Sequence, residues 1–132
     1  MSNESIEHEI QAIEQEIQAK GLTAPRVTPA DIEANIASEV YIIAGEAARA
    51  VGRFPSGNPL LMAREGDVAE SLNLLTFCVL VLRNGFTVTG ESACASPENF
   101  DAEIGRKTAR QNAVAKIWPL MGYALRSKLA SE

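Results

Sequence analysis

Arg106, Lys107 and Arg110, with Lys116 further along, are the residues whose types and spacing best support a binding chemistry. Arg106 and Arg110 stand four apart, so on a helix they share a face. Paired guanidinium groups beside hydroxyls can bind phosphates or carboxylates. Thr87, Thr89 and Ser92, with Glu91 among them, lie just upstream. The candidate ligand-binding set is therefore Arg106, Lys107, Arg110, Thr87, Thr89 and Glu91. The plainer reading is a solvated basic stripe paired with Asp101 and Glu103, and a protein-docking patch is a third.

Catalysis needs a base, a metal or an activated nucleophile. The single histidine, His8, falls on an N-terminal helical stretch, outside its apolar stripe, and reads as a solvated surface residue. Cys78 and Cys94, sixteen apart, together with one distant histidine do not have zinc-ligand spacing. Gly85 and Gly90 suit hairpin geometry rather than a phosphate-cradling loop. Glu91 and Asp101 could form a carboxylate pair, but acids near a helix start are normally caps. The expectation is a non-enzyme with no cofactor and no metal.

The 132 residues suit one domain with a core of useful size. No run of about 18 apolar residues suggests a membrane span. The opening MSNESIEHEI is polar and acidic and lacks the features of a secretory signal, which implies a cytoplasmic protein. The net charge is −5, unevenly spread: residues 1–82 hold 12 acids and 5 bases (−7), residues 83–132 hold 5 and 7 (+2). An acidic chain is a poor general binder of nucleic acid, since affinity for phosphates comes mainly from basic side chains. A local basic patch in the second half remains open.

The elements that must position these residues centre on Thr76–Cys94, TFCVLVLRNGFTVTGESAC. Asn84-Gly85 between apolar runs is a strong hairpin signal, and a two-residue type I′ turn suits it. That register sets Val81 opposite Val88 and Leu80 opposite Thr89. It gathers Phe77, Val79, Val81 and Val88 on one face, and Cys78, Leu80, Thr87, Thr89 and Glu91 on the other. It also separates Cys78 from Cys94 onto opposite faces, which predicts two free thiols in a reducing compartment. The second strand alternates and should be half solvated. The first is apolar on both faces and should be covered on both. A two-stranded ribbon is marginal alone, so helices or another subunit's sheet should complete it.

Residues 3–20 read as an amphipathic helix closed by Lys20-Gly21. Ile6, Ile10, Ile13 and Ile17 make a heptad-like stripe, and such all-Ile stripes favour trimers or tetramers in parallel coiled coils. These four are candidate oligomerisation residues; docking on the chain's own domain is the alternative. Leu22–Val27 is a linker. Thr28-Pro29-Ala30-Asp31 has a capping-box pattern and opens a helix expected to run to about Val51, with Ile32, Ile36, Val40, Ile43 and Ala47 buried. Residues 52–69 read as a long loop, packed on the domain or serving as a binding lid. Ser96-Pro97 should open a helix to about Trp118, with Gly105 costing about 1 kcal/mol relative to Ala unless it packs closely on the hairpin. Pro119 should kink or end that helix before a last one, Leu120–Leu129. The predicted fold class is α+β: an antiparallel hairpin packed with helices before and after it, plus the N-terminal amphipathic helix. The domain division is 1–27 for that helix and linker and 28–132 for a single α+β domain.

Several segments together carry a resemblance: NGFTVTGES at 84–92, NFD at 99–101, EIGRK at 103–107, IWPL with GY across 117–123, and the opening TPADIEANI at 28–36. As an ordered set they resemble a widespread family of small accessory proteins of tailed phages and prophages. The likeness spans most of Thr28–Leu129 and leaves the Ile-striped helix outside. In that family an acidic residue usually follows IWPL, where this chain has Met121. The resemblance implies a phage origin and, by class, a role in host takeover or anti-defence. The expected function is a non-catalytic, oligomeric binding protein of the host cytoplasm, which captures a host protein or sequesters a small nucleotide signal. The alternative is a nucleic-acid-associated phage factor using the same basic cluster.

Overall fold

In the computed structural model, residues 3–51 and 70–132 are described. The order is α1 (Asn3–Ala19), α2 (Pro29–Ala34), β1 (Ile36–Ile43), α3 (Ala44–Val51), β2 (Leu75–Leu82), β3 (Thr87–Ala93), a 3-10 turn (Pro97–Asn99) and α4 (Ala102–Ala130). The strands form one antiparallel sheet in the order β1-β2-β3, with α4 packed across one face. The class is α+β, as predicted.

The long helix expected from Thr28 to Val51 does not form. Thr28 does cap a helix, with the full capping box: Asp31 N donates to Thr28 Oγ1 at 3.1 Å and Thr28 N to Asp31 Oδ2 at 2.9 Å. That helix ends at Ala34, and Ile36–Ile43 is a strand. The residues Ile32, Ile36, Val40, Ile43 and Ala47 match helical spacing. However, Val40-Tyr41-Ile42-Ile43 is also β-branched and aromatic, which suits a pleated surface. β2 offers it an unpaired ladder, so tertiary pairing overrides the helical pattern. The ribbon is thus completed by a strand of its own chain.

The hairpin exists, but its register differs by one residue from the expected one. Gly85 N donates to Leu82 O at 2.9 Å, and Leu82 N to Phe86 O at 2.8 Å. Gly85 has φ +89, and no non-glycine residue has positive φ among those described. Asn84 therefore cannot sit in a type I′ turn. The loop is Arg83-Asn84-Gly85, a type I turn closed by a glycine bulge. Phe86 N donates to Asn84 Oδ1 at 2.9 Å, so the asparagine stabilises the turn with its side chain rather than with a left-handed backbone.

That one-residue difference moves β3's side chains to the opposite faces from those expected. Val88 pairs with Leu80 and Gly90 with Cys78. They lie under α4 with Thr76 and Leu82, all buried. Thr87, Thr89 and Glu91 pair with Val81, Val79 and Phe77 on the other face. Cys78 and Cys94 consequently share a face, contrary to expectation. Both are nonetheless free thiols. Cys94 stands four residues beyond Cys78's partner Gly90, roughly 13 Å along the strand, too far to bridge.

α4 meets the sheet through a line of residues spaced by four: Gly105, Ala109, Ala113 and Ile117, all buried. A Cβ on Gly90 would collide with the carbonyl oxygen of Ala109 and the amide nitrogen of Ala113. A Cβ on Gly105 would lie 3.0 Å from Thr76 Oγ1, so Gly105 does pack closely on the hairpin. Asp101, rather than Ser96, caps α4, accepting from Ile104 N at 3.0 Å. Pro119 does not end the helix, which continues unbroken to Ala130. Pro119 and Ala115 both lie on the exposed side, so the carbonyl that proline leaves bare can turn to water.

α1 ends as read, with Gly21 at φ +65 and Leu22 N donating to Ile17 O at 3.3 Å. It is tied to the linker by Arg26, whose Nη1 and Nη2 each donate at 2.7 Å to Glu14. The expected loop or lid at 52–69 lies outside the described residues.

Candidate functional site

Arg110 is the one member of the predicted basic cluster that the fold places inside a network. It projects from α4 towards α2 and β1. Its Nη1 and Nη2 donate to Glu33 at 3.1 and 2.8 Å, and its Nε donates to Glu39 Oε2 at 3.0 Å. Tyr41 donates its hydroxyl hydrogen to the same Glu39 oxygen. Glu39 and Tyr41 are two apart on β1, so their side chains share the face turned to α4.

The electrostatics follow from this packing. The hydrogen bond from Tyr41, and then Arg110, hold the Glu39 carboxyl below its ordinary range. Burial and the bond to Glu39 push the Tyr41 phenol well up. Burial pushes the Cys78 thiol up, and the charge on Glu39 adds to it. Arg110 is raised, chiefly by its bonds to Glu33. A tyrosine and a cysteine so held stay protonated at neutral pH, the opposite of an activated nucleophile.

The six candidate ligand-binding residues do not converge. Thr87, Thr89 and Glu91 are exposed on the sheet face away from α4. Arg106 is exposed on α4, and Lys107 pairs with Glu103 at 3.3 Å. Arg110 alone turns inwards. The residues missed by sequence reading are its partners Glu33, Glu39 and Tyr41. The spacing Glu39-x-Tyr41 would have signalled them on a strand, but this segment read as a helix. His8 is exposed, as expected. Among the described residues no group of three His, Cys, Asp or Glu could hold a metal.

Beside Arg110 lies a cleft of about 320 Å³ between α1, α2 and α4. Ile6, Ile10, Ile32, Val114 and Trp118 give it an apolar lining, with Glu7, Glu33 and Arg110 among its polar lining residues. The isoleucine stripe therefore divides. Ile6 and Ile10 face this intrachain cleft, Ile17 is partly buried, and Ile13 is 58% exposed. Much of the stripe is used within the chain.

A second surface is the sheet face away from α4. Val40 and Ile42 are 47% and 37% exposed there. They pair with the partly buried Val79 and Phe77 of β2, beyond which stand Thr89 and Glu91 of β3. The hydroxyl row of Thr87 and Thr89 is thus the border of an apolar sheet surface.

Residues 27–129 match the family described as phage protein (N4 Gp49/phage Sf6 gene 66). This chain belongs to that phage protein family. The matched range agrees closely with the Thr28–Leu129 span of the motifs and leaves α1 outside it. Searches of curated proteins and of solved structures gave no match. No helix among the described residues is long and apolar enough to cross a membrane.

Proposed function

We propose that this member of the family is a non-catalytic accessory protein that acts in the host cytoplasm by capturing a host protein on the outer face of its sheet. The observation that carries the reading is the unequal treatment of the two sheet faces. One is closed by α4 down to backbone contact at Gly90. The other leaves Val40 and Ile42 open, bordered by Thr87, Thr89 and Glu91. An apolar centre with a polar border is how protein-docking surfaces are built. Sequestration of a nucleotide has less support, because Arg110 is already neutralised by Glu33 and Glu39. The raised Tyr41 and Cys78 support a non-catalytic role.

A photo-crosslinking residue at position 40, in cells that express the full chain, tests this. A discrete adduct with one host protein is expected, and Ile42→Glu should abolish it while the circular dichroism stays native. Two outcomes would overturn the reading. One is no adduct together with a rise in melting temperature on adding cyclic nucleotides, which would restore nucleotide sequestration. The other is a salt-steep shift of DNA or RNA, which would restore the nucleic-acid factor.

A further inference from the structure

The apolar residues of α4 do not stop where the sheet stops. Gly105, Ala109, Ala113 and Ile117 are buried, and the same spacing of four continues through Met121, Leu125 and Leu129. Partly buried side chains packed on the core end, along this helix, at Met121. At 3.6 residues per turn, Val114, Trp118, Met121, Leu125 and Leu129 fall within about a quarter of the helix circumference. The cleft lining and the free helix end are therefore one continuous apolar strip. Arg126 and Lys128 flank its far end on both sides, and from Lys116 to Ala130 there is no acidic residue. The near end has the opposite sign: α1 carries five glutamates and no Lys or Arg, and Glu7 and Glu33 line the cleft, where the lining cation, Arg110, is already paired with Glu33 and Glu39.

We infer that this strip is the interface for a second copy of the chain, with two α4 helices crossing antiparallel about a two-fold axis near Met121. In that arrangement Leu125 and Leu129 of one copy enter the other's cleft against Val114 and Trp118. Arg126 and Lys128 reach Glu7 at its mouth, while Glu33 keeps its bonds to Arg110. A parallel pairing would set the basic ends against each other and leave each cleft unfilled. The antiparallel pairing satisfies both ends at once and is self-complementary, as a two-fold interface must be. It is distinct from the open sheet face, which stays available in the dimer. It also shifts self-association from the isoleucine stripe to α4, with α1 as a wall of the receiving cleft.

Native mass spectrometry and light scattering of the full chain over a concentration series test this. A dimer is expected. Leu125→Glu with Leu129→Glu should give a monomer with unchanged helicity and a red-shifted emission from Trp118, the chain's single tryptophan. Arg126→Glu with Lys128→Glu should also dissociate it, and adding Glu7→Lys to that variant should restore dimer. Three results would overturn the inference: a wild-type monomer throughout, an oligomer indifferent to the Leu125 and Leu129 changes, or one that dissociates only on Ile13→Glu. The last would return the interface to the exposed side of α1. None of these readings bears on the crosslink at position 40, so the two proposals fail separately.

Discussion

The two halves of α4 lie on one helix and continue one line of side chains, yet they are built oppositely. From Gly105 to Ile117 the line is mostly glycine and alanine, and everything on it is buried. From Met121 onwards it is large and only partly covered. Where β3 approaches the helix, there is no room for a side chain: Gly90 lies against the backbone of Ala109 and Ala113. Where the sheet ends, size returns. Residue size along one helical line thus reports the distance to whatever packs against it. Small residues mark where the sheet lies against the helix, and large ones where the sheet has ended.

That contrast can be broken by substitution. The largest effect is expected at Gly90→Ala, because the new methyl meets backbone atoms that cannot rotate away; the loss should reach or exceed about 3 kcal/mol, the upper end for ordinary overpacking. Urea unfolding measures it, and a near-neutral result would mean that α4 is not seated as described. Next comes Ile117→Ala, a fully buried side chain that should cost ~2–5 kcal/mol. At a dilution that favours monomer, Leu129→Ala should stay within about 0.5 kcal/mol of wild type. Equal losses at 117 and 129 would erase the distinction between the halves. Arg110→Ala leaves Glu33 and Glu39 without their cation and should cost ~1–3 kcal/mol, the lower end being apt for so accessible a network. Arg106→Ala, on the exposed side, should fall within about 0.5 kcal/mol of wild type. A thermal-melt comparison separates them.

The smallest effect concerns α1. Arg26, with help from Gln18, holds the Glu14 carboxyl at about 2, below the ordinary 4.5. A depressed folded value means that the pair stabilises fully above pH 4.5 and that its contribution fades as pH falls towards 2. The tie between α1 and the linker should therefore weaken across that acid window. Titration of the Glu14 side-chain carboxyl carbon by NMR checks this: a midpoint near 2 is expected, and one near 4.5 would remove the tie from the account of how α1 is held.

Much of the local structure was legible in the residues. Thr28-Pro29-Ala30-Asp31 marked its capping box, Lys20-Gly21 its helix end, and Asn84-Gly85 its hairpin, since each is decided by neighbours in sequence. The ordered motifs pointed to a phage protein family, whereas the shared face that spacing gave Arg106 and Arg110 did not make them one site, since only Arg110 turns inwards. The tertiary structure decided the rest. Ile36–Ile43 fits a helix or a strand equally by periodicity, and only the open edge of β2 made it a strand. The hairpin turn was legible but its length was not. That single residue determined whether Thr87, Thr89 and Glu91 faced α4 or the opposite side. Arg110 became a structural ion pair only when α2 and β1 brought Glu33 and Glu39 beside it. Sequence determined what neighbouring residues settle between themselves; faces, partners and the closeness of α4 depended on contacts between segments far apart in the chain.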